Sequence, residues 1–103
     1  MRTTTTVAAA FTAIGLAAAA LPAQAQQARY LAANCANCHG TDGRSAGGGG
    51  MPGLAGLSAT YFVEQMKAFR EGKRQATIMH QIAKGYTDEQ IAALADYFSQ
   101  QKK

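Results

Sequence analysis

The 103-residue sequence lacks most of what the common enzyme classes require. Its length allows one ordinary domain, which excludes a multidomain enzyme. It contains no Ser/His/Asp set, no glycine-rich phosphate loop and no paired carboxylates at a catalytic spacing. Ten Lys and Arg against six Asp and Glu give a mildly basic chain, too weak a bias to indicate nucleic-acid binding. These absences predict a small single domain without catalytic machinery of its own.

Charge is nearly absent from the N-terminal segment, where Arg2 is the only charged side chain before Arg29. An alanine-rich apolar run extends from Val7 to Leu21 and is followed by Pro22 and by the small residues of the sequence Ala-Gln-Ala at 23–25. Fifteen helical residues span ~22 Å, which is short of the ~30 Å hydrocarbon core of a membrane. The pattern therefore predicts a signal peptide, residues 1–25, that is cleaved after Ala25 rather than a membrane anchor. The functional domain would be residues 26–103, exported to the periplasm.

Only two cysteines are present, and together with the residue that follows them they form Cys35-Ala36-Asn37-Cys38-His39. This is the attachment signature of c-type haem. Two thiols at this spacing can add to the two vinyl groups on one side of a porphyrin, and the adjacent imidazole can bind the iron. Export agrees with this interpretation, because covalent haem attachment takes place outside the cytoplasm. We therefore expect one covalently bound haem c.

Three other uses of the two cysteines are weaker. A thioredoxin-like redox pair requires a βαβ setting, and no strand-like alternation flanks the motif. A tetrahedral zinc site requires a fourth ligand that nothing at ligand spacing supplies convincingly. A disulfide across a two-residue gap closes too short a loop to stabilise a domain much.

The periodicity of the remaining chain predicts an all-α fold, a single small domain of three to five helices around the haem. Glycine and turn residues predict a loop over 40–56. Ser58 is a candidate N-cap, and Thr87 with Gln90 forms a candidate capping box. The predicted helices cover residues 26–36, 59–71, 77–83 and a final stretch that follows Thr87.

An iron bound by His39 needs a second axial ligand or an open position, and the candidates are Met51, Met66, Met79 and His80. Met66 belongs to the apolar stripe of its helix, and nothing marks Met51 within the glycine loop. Met79 lies where the chain should return past the opposite haem face, so we predict Met79. His80 would point ~100° away from Met79 on a helix. Whether His80 competes for the iron stays open.

Beyond these arguments, the chain resembles the class I cytochromes c along the whole length of the predicted domain. The segments PGLAG at 52–56 and SATY at 58–61 are similar to the cytochrome c4-type group. The segment ATIMHQIAKGY at 76–86, with ADYF at 95–98, is more specifically similar to the haem subunit of flavocytochrome c sulfide dehydrogenases.

The resemblance implies a role for each matching residue. Cys35 and Cys38 would form the thioether bonds, His39 would be the proximal iron ligand and Met79 the distal one. The backbone carbonyl of Pro52 would accept a hydrogen bond from His39 and orient its ring. The protein would be an electron carrier rather than an enzyme. It would accept electrons from a flavoprotein that oxidises sulfide, or act as a free small cytochrome that donates electrons to an oxidase or another reductase.

A basic cluster consists of Lys67, Arg70, Lys73 and Arg74. Such a cluster could attract an acidic partner or contact the haem propionates, or it could be a solvated face with no further role.

Overall fold

The computed structural model describes residues 5–10, 15, 23–45 and 50–103. Most of the predicted apolar run, Pro22 and three of the four consecutive glycines lie outside these residues. Within the described part of the chain there are four α-helices, no strand, and no helix that is both long enough and apolar enough to cross a membrane. The all-α prediction is confirmed. The helices are α1 (Ala23–His39), α2 (Ala59–Arg70), α3 (Met79–Lys84) and α4 (Asp88–Ser99), with a 3₁₀ turn at Thr41–Gly43 after α1.

Two helices begin at the caps that the sequence predicts. The Ser58 hydroxyl accepts a hydrogen bond from the Tyr61 backbone N–H at 3.1 Å, which satisfies one free donor of the first turn of α2. At α4, the Thr87 hydroxyl accepts from the Gln90 N–H at 3.1 Å, and the Gln90 side chain accepts from the Thr87 N–H at 2.9 Å. This reciprocal pair is the predicted capping box.

Two helices differ in extent from the prediction by more than one residue. α1 is longer than residues 26–36 and continues through the cysteine motif to His39, because nothing before Gly40 interrupts helical geometry. α3 begins at Met79 instead of Thr77. The two residues before it, Thr77 and Ile78, are β-branched, and Ile78 has the non-helical φ of −137°.

The helices enclose a small core. α4 packs against both α1 and α2, and α3 packs against α2. The Phe98 ring of α4 is fully buried and stacks on the Phe62 ring of α2, with 5.6 Å between the ring centroids. Burial of these apolar surfaces is the main stabilising contribution to the fold. The buried core residues are Ala32, Phe62, Met66, Ala83, Ile91, Leu94, Ala95 and Phe98.

Candidate haem-binding site

His39 is the last residue of α1 and its side chain is held by the following loop. The residue is only 8% exposed, and its Nδ1 lies 2.8 Å from the backbone oxygen of Pro52. A carbonyl oxygen can only accept a hydrogen bond, so Nδ1 carries the proton and donates it. This arrangement orients the ring and leaves the lone pair of Nε2 for a metal ion. His39 and Pro52 are the two residues between which the resemblance to class I cytochromes c predicts a hydrogen bond.

Glycine geometry brings the loop back to His39. Gly40 has a φ of +83°, and a Cβ at this position would lie 2.1 Å from the Arg44 backbone oxygen. Only glycine fits such a turn, because other residues have a side chain that this φ and this space both exclude. The chain therefore reverses direction directly after His39, and Pro52 comes to lie beside the His39 ring.

Two further residues support this loop and were not singled out by the sequence analysis. The Tyr97 hydroxyl of α4 donates a hydrogen bond to the Asp42 carboxylate at 2.5 Å. The pKa of Tyr97 is raised by burial and by this hydrogen bond to a negative charge. The two residues are 55 positions apart, so no local sequence pattern could have indicated their contact.

Cys35 and Cys38 lie three residues apart on α1 and therefore on neighbouring positions of one helix face. Both are free thiols, which argues against the disulfide interpretation. Cys35 is half-buried beside the core, and burial raises the pKa of its thiol, whereas Cys38 is exposed. Among the described residues, no three His, Cys, Asp or Glu side chains come together as a metal-binding group, so a zinc site receives no support there.

Met79 is the first residue of α3 and packs against the same core cluster as Cys35 of α1. The fold thus brings to one core two predicted haem contacts that are far apart in sequence. Near Met79, the apolar side chains of Ile78 and Ile82 are 50% and 38% exposed. An apolar cofactor would cover such surfaces favourably.

The other candidate axial ligands have different environments. Met66 is 6% exposed within the helical core, which confirms its interpretation as a core residue. Met51 precedes Pro52 and is 46% exposed. His80 follows Met79, and its Nδ1 is buried without a hydrogen-bond partner.

The donor set fits haem c. Two free thiols, an imidazole with Nε2 available, a thioether and exposed apolar side chains are the groups that a flat, covalently bound porphyrin requires.

Two of the four cations in the basic cluster form ion pairs with neighbouring carboxylates. Arg70 forms an ion pair with Asp88 at 2.6 Å, and Lys73 forms one with Glu71 at 2.8 Å. The Arg74 guanidinium lies 4.6 Å from the centroid of the Phe69 ring. The two ion pairs reduce the free positive charge that the cluster could offer to a partner, whereas Arg74 keeps its charge beside a neutral ring.

The helical fold and the site together define a small protein that holds one covalently attached haem. The chain belongs to the cytochrome c family, which it matches over residues 23–102. Members of this family carry haem c and are electron-transfer proteins rather than enzymes.

Two individual cytochromes are also similar to this chain. The structure resembles that of cytochrome c4 from Acidithiobacillus ferrooxidans with a TM-score of 0.65 and 34% sequence identity, covering 80% of this chain and 52% of that one. The sequence is 44% identical over 48 residues to cytochrome c-554(548) from Halomonas halodenitrificans, covering 44% of this chain and 58% of the relative. The chain therefore spans less than two thirds of either relative.

Proposed function

We propose that this protein is a periplasmic one-electron carrier whose haem c is bonded to Cys35 and Cys38 and ligated by His39 and Met79. The observation that carries the proposal is the 2.8 Å contact between His39 Nδ1 and the Pro52 carbonyl, directly beside the two free thiols. The contact orients an imidazole whose Nε2 is available as a ligand. A histidine with a purely structural role would not require this arrangement next to a CxxCH motif.

Each residue of the site would have a separate role in holding the cofactor. Pro52 keeps the proton on His39 Nδ1, and the two thiols attach the cofactor to α1. The thioether of Met79 would be the second protein ligand of the iron, so the protein would offer the iron to electrons and not to a substrate. The haem supplies a single reversible redox step at its iron, and a His/Met ligand pair suits electron transfer by raising the reduction potential. The core residues and the isoleucines beside Met79 would exclude water from the porphyrin.

The ligand assignment is tested by visible spectroscopy of the purified holoprotein and three variants. We expect Met79→Ala to lose the weak red absorption band of the oxidised protein that marks a methionine–iron bond. Met51→Ala is the matched control, because it removes the same side chain from an exposed loop position, and it should keep the band. His80→Ala should also keep it. A wild-type protein without the band, or a band that survives in Met79→Ala, would refute the assignment.

We propose a flavoprotein that oxidises sulfide as the electron donor, on the basis of the sequence similarity at residues 76–86. Sulfide oxidation itself would then take place on the flavoprotein. The test is affinity purification from the native periplasm at low ionic strength. Recovery of a flavin-containing subunit in a constant ratio to haem would support this partner. Recovery without flavin, together with rapid electron transfer to an oxidase, would instead support a free small cytochrome.

Export and cleavage after Ala25 are part of the same proposal. N-terminal sequencing of the haem-bearing protein should begin at Gln26. A protein that retains Met1 would contradict the cleavage.

A further inference from the structure

A hydrogen bond connects the C-terminal helix to the turn that follows the proximal histidine. The Tyr97 hydroxyl donates to Asp42 at 2.5 Å, and the Tyr97 ring is set edge-on to the buried Phe98 ring, with 5.3 Å between centroids and 82° between planes. A charged acceptor makes such a bond roughly twice as strong as a neutral pair. Asp42 has a φ of +53°, a conformation that Asp and Asn adopt more readily than most residues. The contact therefore holds the turn in one specific conformation.

From this turn, backbone contacts lead directly to the loop that carries Pro52. The carbonyl of Gly43 accepts hydrogen bonds from the backbone N–H of Leu54 at 2.8 Å and of Ala55 at 3.2 Å. Space at Gly43 is so limited that a Cβ would lie 2.8 Å from the Leu54 Cβ and 2.9 Å from the Phe98 ring. A shift of the turn would therefore be passed on to the segment that begins only two residues after Pro52.

The C-terminal end of α4, which carries Tyr97, also binds the loop at Gly56. The backbone N–H of Gly56 donates to the carbonyl of Phe98 at 2.8 Å. Tyr97 and Phe98 are consecutive, so α4 binds residue 42 through a side chain and residue 56 through its backbone. Pro52 lies between these two attachments, and its carbonyl accepts the hydrogen bond from His39.

We propose that Tyr97 is a positioning residue for the proximal ligand. Through Asp42 it holds the Pro52 carbonyl at hydrogen-bonding distance from His39 Nδ1. This inference rests on the proposed function, in which His39 binds the haem iron. A strong hydrogen bond from Nδ1–H makes Nε2 a better electron donor, which favours the oxidised metal. Loss of the Tyr97 hydroxyl should therefore raise the reduction potential, although Tyr97 is not assigned any contact with the haem.

The experiment compares holoprotein variants by two measurements that a purely structural role would not change. The first is the solvent exchange rate of the His39 Nδ1 proton, followed by NMR, and the second is the reduction potential. Tyr97→Phe should accelerate the exchange by about tenfold or more, which corresponds to the loss of one hydrogen bond to a charged acceptor. It should also shift the potential upward without any change of charge. Asp42→Asn keeps an acceptor oxygen and tolerates the positive φ, so its exchange rate should lie between those of the wild type and Asp42→Ala.

Two controls separate positioning from general destabilisation. Tyr61→Phe removes the hydroxyl of an exposed tyrosine for which the described residues provide no partner, and it should change neither measurement. Thr87→Ala removes the capping box at the opposite end of α4 from Tyr97 and destabilises the fold away from the loop. It should lower the melting temperature and leave both measurements unchanged.

The outcomes distinguish a failure of this inference from a failure of the proposed function on which it rests. Unchanged exchange and potential in Tyr97→Phe, in a protein whose His39 binds iron, would overturn the positioning role alone. Equal changes in Thr87→Ala would overturn it as well, because general loosening would then account for the effect. A wild-type protein without histidine-bound haem would instead refute the proposed function.

Discussion

Replacement of Gly43 by alanine tests how tightly the loop that contacts His39 is packed. Gly43 has a φ of +76°, and a left-handed conformation costs a residue with a Cβ about 1–2 kcal/mol. The new methyl group would also lie 2.8 Å from the Leu54 Cβ, 2.9 Å from the Ala55 nitrogen and 2.9 Å from the Phe98 ring. Two of these neighbours are backbone or buried ring atoms that cannot move freely, so overpacking adds about 1–3 kcal/mol. The free energy of unfolding should fall by about 2–5 kcal/mol in total.

Gly72 provides a matched control within the same chain. It has nearly the same φ, +72°, at the end of α2, but a Cβ there would meet no atom within 4 Å. Gly72→Ala should therefore cost only the conformational part, about 1–2 kcal/mol. The difference between the two variants isolates the packing of the loop against α4.

The assay is guanidinium-induced unfolding of the holoproteins, followed by helical circular dichroism and analysed by linear extrapolation. A reduced-haem spectrum identical to that of the wild type would show that the Gly43→Ala protein still carries its cofactor. If the two alanine variants lost the same free energy within about 0.5 kcal/mol, the packing argument at Gly43 would be refuted.

Other contacts give predictions of the same kind. Thr87→Ala removes the capping box with Gln90 and should lower the free energy of unfolding by about 1 kcal/mol, measured by the same denaturation; no change would show that water replaces the cap. The hydrogen bond from Arg70 lowers the pKa of Asp88, so the stabilisation is present above the ordinary value of 3.8 and is lost as the pH falls through the lower pKa of the folded state. The melting temperature of Asp88→Asn should therefore lie below that of the wild type at pH 7 and converge with it in acid, and a constant difference would contradict the assignment. Phe98→Ala opens a cavity in the core and should cost about 3–5 kcal/mol, whereas Phe98→Leu should cost clearly less; equal losses would argue against a volume effect.

The attachment motif and the helix starts are predictable from sequence because they depend on local chemistry. Cys35, Cys38 and His39 indicate haem through their spacing alone, and the caps at Ser58 and Thr87 satisfy backbone donors within three residues of themselves. The predicted α1 is too short because Asn and Cys in the motif are poorer helix formers than Ala, yet the helix continues until Gly40 ends it.

The environment of His80 and the pairing of the basic cluster could not be predicted in this way. The buried, unpartnered Nδ1 of His80 depends on how α3 packs. The ion pair of Arg70 with Asp88 joins two helices across 18 positions, and the position of Arg74 over the Phe69 ring depends on the turn after α2. Each of these contacts requires segments whose relative placement is set by the core.

The sequence by itself determined that this chain is a small helical protein with a haem c attachment site, because the periodicity and the CxxCH spacing act over a few residues. Only the tertiary structure decided how the site is held together. The hydrogen bond of His39 to Pro52 spans 13 positions, and that of Asp42 to Tyr97 spans 55. Such contacts form only when burial of Phe62, Leu94 and Phe98 has brought the helices together, since that burial supplies the free energy to order the loop between them.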